Sequence, residues 1–178
     1  MANQIETHTK VLASASHLLE YPDMQWWNGL TAYRAVLGEL GRRQEQQMFG
    51  EFFDYLEQAG QKSYEEQYVR SFDFSQNTNL YLTTMERTDF GKQSEEMHRY
   101  KNLFLSHGYD VDNQLPDYLP ALLELAAALP EKEAGEVLNA IKPRVELLRK
   151  RFIEAKLVQV FLLDIVLTET AALGGEAA

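Results

Sequence analysis

Four histidines, at positions 8, 17, 98 and 107, are the side chains here best suited to proton transfer or metal binding, and their spacing limits what they can do. None sits in an H-E-x-x-H zinc pair. One Glu-x-x-His does occur, Glu95 with His98, and in a helical protein it raises the question of a di-iron carboxylate site. That chemistry needs a second Glu-x-x-His and two further inward glutamates. Nothing acidic stands three residues before His8, His17 or His107, so the second pair is missing. Glu95 and His98 read instead as the wet face of a helix, and His17, between apolar positions, as a boundary histidine. The absence of cysteine removes disulfides, thiolate zinc sites, iron–sulfur clusters and cysteine nucleophiles. The ten glycines never reach G-x-G-x-x-G or G-x-x-x-x-G-K spacing, and there is no G-x-S-x-G elbow. The sequence therefore predicts no catalytic constellation, no metal site and no cofactor.

What remains suits the binding of a peptide. Trp26, Trp27, Phe49, Phe52, Phe53, Tyr64, Tyr68, Phe72 and Phe74 crowd the first half, most of them required as core. Acids stand beside them. Asp73 closes Tyr68-x-x-x-Phe72-Asp73, and Asp117 lies within Leu115-Pro-Asp-Tyr-Leu-Pro120, a stiff entrance to the next helix. Asp117 has a plain alternative role as that helix's N-cap, with Pro120 tolerated in the first turn. Charge is uneven: residues 102–141 hold seven acids and one base, a net of −6, and residues 142–156 hold six bases and two acids, a net of +4. The plain reading is two solvated faces that attract one another. The sharper one is an acidic border to a groove for a positively charged peptide.

The elements that must position these residues are helices. Val11, Leu12, Ala15, Leu18 and Leu19 form one stripe, stopped at Tyr21-Pro22. Asp23 caps a second helix running to Gly41, and Met48 to Leu56 mark a third that ends near Gly60. Ser63-Tyr-Glu-Glu66 has the form of a capping box opening a fourth helix through Phe72. A polar break at 75–79 precedes a short apolar helix from Leu80. A loop at 88–91 then leads into a helix from Lys92 to His107, with Met97, Tyr100 and Phe104 inward. An acidic loop spans Tyr109 to Leu115, and a helix follows from Leu119 to Pro130. Two segments come next, one over 131–141 and one starting near Pro143. The apolar run 157–167 covers 11 residues, well under the roughly 20 that a bilayer demands, and reads as a buried core helix.

The 178 residues form one all-α domain, with a frayed tail at about 174–178. A net charge of −10 and a pI near 4.9 disfavour nucleic acid and anionic lipid as partners. The first residues carry neither a basic nor an apolar signal region, which predicts a cytoplasmic protein.

Leu115-Pro-Asp-Tyr-Leu-Pro120, followed by Ala-Leu-Leu-Glu-Leu125, resembles the L-P-D-[HY]-L-P-x-x-L-E signature of the NarJ family. These are the assembly chaperones of respiratory nitrate reductase, within the wider NarJ/TorD/DmsD group of molybdoenzyme chaperones. Ser16-His-Leu-Leu-Glu-Tyr-Pro-Asp23, Tyr68-x-x-x-Phe72-Asp73 and Gly91 agree with that family in order and spacing. Phe90 stands where the family usually has arginine, Gln114 where glutamate is frequent, and Tyr118 where many relatives carry histidine. The resemblance spans about His17 to Pro130. It implies a TorD-like helical bundle, not an enzyme and without a cofactor, that binds the N-terminal segment of the nitrate reductase catalytic subunit. The client would be held for molybdenum cofactor insertion and complex assembly before membrane attachment. The implied client-binding residues are Tyr68, Phe72, Asp73, Leu115, Pro116, Asp117, Tyr118, Pro120 and Glu124. Apolar client side chains would enter an aromatic cleft, and basic ones would meet Asp73, Asp117 and Glu124. A sibling chaperone for another molybdoenzyme, a helical di-iron protein, a purely structural interaction domain and a homo-oligomer stay open as alternatives.

Overall fold

The computed structural model describes residues 6–86, 90–111 and 114–174, with the side chains of 85, 86 and 90 excepted. The loop at 88–89, Asp112 and the tail at 175–178 lie outside the described residues. Eight α-helices account for most of the described chain: α1 (Thr7–Leu19), α2 (Met24–Leu37), α3 (Arg43–Ala59), α4 (Gln61–Tyr68), α5 (Phe90–Ser106), α6 (Leu119–Ala128), α7 (Glu131–Glu154) and α8 (Val160–Leu173). The all-α expectation holds. Helices α1, α6, α7 and α8 form the packed centre, with α3 laid against α8. The stripe Val11, Leu12, Ala15, Leu18 and Leu19 is fully buried there, and so are Leu162, Leu163 and Ile165 of α8. Among the described residues no helix is long and apolar enough to cross a membrane.

Caps and breakers set most of the boundaries. Asp23 caps α2 by accepting the Trp26 amide at 2.8 Å, as its position predicts. The Trp26 indole then donates to the His17 carbonyl at 3.0 Å and stacks on Tyr64 at 5.6 Å, tying α2 and α4 to the end of α1. Gly60 turns α3 into α4 with φ of 81°, and Gly108, at φ 82°, follows α5.

Four expectations are corrected. Helix α2 closes at Gly38, whose amide bonds to the Arg34 carbonyl at 2.9 Å, three residues before Gly41. Helix α4 opens at Gln61 after Gly60, so Ser63 lies inside it and there is no capping box. The segment after Leu80 is a single β-bridge and then a 3₁₀ turn, Leu82–Glu86, not an α-helix. Helix α7 runs unbroken through Pro143. The proline forfeits its bond to the carbonyl of Asn139, which lies on the exposed side. Meanwhile Val137, Leu138, Ile141, Val145 and Leu148 keep one buried stripe on both sides of the break. The basic stretch also finds partners outside the acidic one: Arg144 meets Glu96 of α5 at 3.2 Å, and Arg149 meets Asp164 of α8.

Candidate functional site

Helix α4 does not end cleanly. Its last turn widens into a π-turn, Val69–Asp73, the kind of one-residue insertion that re-aims side chains. Phe72 points inward, its ring 4.5 Å from Tyr68 and 5.6 Å from Phe152, while Asp73 emerges exposed. The Tyr68 hydroxyl donates to the Leu19 carbonyl at 2.6 Å, at the end of α1, and Tyr21 meets the Tyr68 ring edge-on at 5.7 Å.

Facing this turn, Leu80–Leu82 pairs antiparallel with Asp117–Leu119. The Leu82 amide donates to the Asp117 carbonyl at 3.0 Å and the Leu119 amide to the Leu80 carbonyl at 2.9 Å. The bridge sets Tyr81 and Tyr118 side by side, ring centres 5.0 Å apart. Asp117 lies beneath them with 1% of its surface exposed. It is not the N-cap of α6; Tyr118 holds that position, without a side-chain bond. The bridge turns the Asp117 carboxylate toward the 3₁₀ turn, where Oδ2 accepts from the Thr83 amide at 3.1 Å and the Thr83 hydroxyl at 2.6 Å. The buried Pro120 carbonyl accepts the Ser16 hydroxyl at 2.7 Å, locking α6 to α1.

The residues singled out from sequence therefore divide. Tyr68, Asp73 and Tyr118 share charge effects on one face, and Glu124 is tied to it through Glu20. Phe72, Asp117 and Pro120 support it from inside, while Leu115 is exposed and Pro116 half-buried on the approach to the bridge. Glu20 and Tyr21, inside the 16–23 motif but not singled out, belong to the face as well. Burial foremost, then the carboxylates of Glu124 and Asp23, raises the Glu20 pKa above the ordinary glutamate range. Burial, then Glu20, with Tyr81 and Asp73 after it, pushes the Tyr118 phenol up. Tyr68 is raised the same way, chiefly by burial and then by Tyr118, with Asp73 and Glu20 adding. Among the described residues no lysine or arginine pairs with Glu20, Asp73 or Glu124.

Two clefts flank the face. One, of about 430 Å³, runs along Tyr21, Val69 and Phe74, a residue 81% exposed. The other, of about 540 Å³, lies between α5 and α6, with Phe104, Val111 and Leu125 as apolar walls and Asp110 and Glu124 at its edge. Glu95 and His98 are both exposed, on the wet face of α5. His17 is half-buried, stacked on Tyr33 at 4.6 Å, and burial lowers its pKa.

The family model for the nitrate reductase delta subunit matches residues 40–158. The chain belongs to the nitrate reductase delta subunit family. Within this family it is 30% identical, over 163 residues, to the probable nitrate reductase molybdenum cofactor assembly chaperone NarJ of Bacillus subtilis (strain 168), covering 91% of this chain and 89% of that one. It is 28% identical over 159 residues to the nitrate reductase molybdenum cofactor assembly chaperone NarJ of Escherichia coli (strain K12), across 88% of this chain and 67% of the relative. The probable chaperone NarW of Escherichia coli (strain K12) is 27% identical over 143 residues, across 80% of this chain and 60% of its own. The delta-subunit match takes in the π-turn, the bridge and α6, whereas Glu20 and Tyr21 lie outside it.

Proposed function

We propose that this chain is an assembly chaperone for a nitrate reductase, a binding protein and not an enzyme. It acts in the cytoplasm as one domain. It captures the N-terminal segment of the catalytic subunit and holds that subunit for molybdenum cofactor insertion and assembly before membrane attachment. The names of its relatives support the chaperone role. The observation that carries the peptide reading is the face itself: Tyr21, Tyr68, Tyr81 and Tyr118 set among Glu20, Asp73 and Glu124, with no lysine or arginine counter-ion among the described residues. A half-buried carboxylate raised by burial and then by neighbouring acids, as Glu20 is, is relieved by an incoming cation. Exposed aromatic rings beside them accept apolar side chains and the faces of guanidinium groups. A segment mixing basic and apolar residues meets both demands.

The test is a titration of the full chain with a synthetic peptide of the client's N-terminal segment at low and high salt. Affinity should fall as salt rises, since partly exposed charges are screened over about 8 Å at physiological ionic strength. Absence of binding, or an affinity indifferent to salt, rejects this face as the peptide site.

A further inference from the structure

His8 is fully buried at the start of α1, yet one of its nitrogens has no hydrogen bond. Its Nε2 stands 2.8 Å from the carbonyl oxygen of Leu129, at the end of α6. A carbonyl can only accept, so Nε2 carries the proton and Nδ1 presents a lone pair. That lone pair faces carboxylates. Glu6 Oε2 lies 3.2 Å from Nδ1, and ligand atoms of Glu6, His8 and Glu131 all fall within 4.8 Å of one another. Two carboxylates and a buried imidazole lone pair at this range favour a positive charge between them. Among the described residues neither glutamate has a lysine or arginine partner.

We propose that Glu6, His8 and Glu131 form a binding site for a divalent transition-metal ion of the zinc class, which staples the start of α1 to the corner between α6 and α7. The donor set suits such an ion: one imidazole and two carboxylates are borderline-to-hard ligands, and two negative charges balance the dication. Ligands held at about 2.1 Å around a tetrahedral ion stand about 3.4 Å apart, close to the 3.2 Å between His8 Nδ1 and Glu6 Oε2 and within the 4.8 Å that bounds the trio. The Leu129 carbonyl is the outer-shell partner that fixes a ligating imidazole's tautomer and ring plane. Glu6 and Glu131 are exposed, so the ion has an entry path and water completes its coordination. A proton on Nδ1 is the competing occupant, but it neutralises only one of the two carboxylates.

No spacing motif announces this site. Its residues lie far apart in sequence, two at the start of α1 and one at the start of α7, and α1 meets the corner after α6 only because their apolar stripes pack together.

The experiment is a calorimetric zinc titration of the untagged, chelator-treated full chain, with melting curves alongside. Binding should saturate at about one equivalent and raise the melting temperature, because an ion held only by the folded chain stabilises it. Glu6→Gln and Glu131→Gln change exposed side chains and leave the metal-free fold intact by circular dichroism. Each should weaken zinc binding about tenfold or more, the scale even of outer-shell losses. Glu95→Gln, in the exposed Glu95–His98 pair, should change nothing. The proposal falls if zinc does not saturate, if Glu131→Gln binds as the parent does, or if Glu95→Gln abolishes binding. It falls equally if acidification raises the melting temperature of the metal-free chain while zinc has no effect, which assigns the site to a proton.

Discussion

Carboxylates are handled in two ways in this molecule. At the seam between α3 and α8, Glu45 and Glu169 are buried and the chain supplies their counter-ion, Arg42, whose Nε stands 2.8 Å from Glu169 Oε2. At the tyrosine-lined face, Glu20 lies near Glu124 and shares Tyr68 and Tyr118 with Asp73, and among the described residues no lysine or arginine pairs with these acids. Both arrangements raise a glutamate pKa by burial first and a neighbouring acid second, Glu169 through Glu45 and Glu20 through Glu124. Only the seam closes its own electrostatics. The seam meets its buried acids with Arg42, whereas the face offers its three acids no lysine or arginine among the described residues, which is the feature the proposed peptide reading rests on.

Breaking the seam should have the largest effect. Arg42→Ala leaves a buried acid pair without its cation and should cost about 3 kcal/mol of stability above neutral pH, read by denaturant unfolding. The cost should shrink in acid, because burial and Glu45 push the Glu169 pKa up to about 7 and the carboxyl can neutralise instead. The folded chain holds that proton more tightly than the unfolded chain does. The contribution of Glu169 to stability is therefore fully present below the ordinary glutamate range and is lost as pH rises through about 7. Melting curves from about pH 5 to pH 8 should show this decline, and Glu169→Gln should flatten it.

The support beneath the face should respond less. Asp117→Ala strands the Thr83 amide and hydroxyl, a loss of about 2 kcal/mol. Asp117→Asn keeps an acceptor for Thr83 but sets an amide N–H₂ at the place of Oδ1, which has no partner, and should cost about 1 kcal/mol. Because Asp117 is buried, peptide affinity per folded molecule should be unchanged in the Asn variant. A fall in affinity with unchanged melting would make Asp117 a contact after all.

Local pattern made much of this legible. The stripes of α1, α3 and α8 need only period and polarity, and Asp23 as a cap needs only three residues of context. The corrections at Pro143, after Leu80 and at Asp117 share a cause: each depends on partners far away in sequence. Pro143 stays inside α7 because burial on both sides outweighs one lost bond. Asp117 turns from capping to Thr83 because Leu80–Leu82 pairs beside it. Tyr68, Asp73, Tyr118 and Glu124 could be picked out by type and motif. Glu20 could not, since nothing around the end of α1 says that the cap of α2 and the middle of α6 will place Asp23 and Glu124 near it.

The smallest effects, and the sharpest for function, should come from the face. Glu20→Gln, Asp73→Asn and Glu124→Gln each remove a charge that repels its neighbours, so melting should hold or rise slightly at neutral pH. That is opposite in sign to the loss at the seam. Each should weaken binding of a basic client peptide by about 0.5–1 kcal/mol at low salt, the scale of a partly exposed ion pair, with the difference fading at high salt. Glu20 should lead, because it is the most enclosed of the three and less screened by water. The control is Glu51→Gln, an exposed acid of α3 away from the face. The chain's net charge of −10 attracts any cationic peptide, and Glu51→Gln reduces that general attraction by the same single charge. If it weakens binding as much as Glu20→Gln does, the attraction is to the whole molecule and the face is not the site. If Glu20→Gln costs several-fold more, the carboxylate beside Tyr21 is where the client's cation rests.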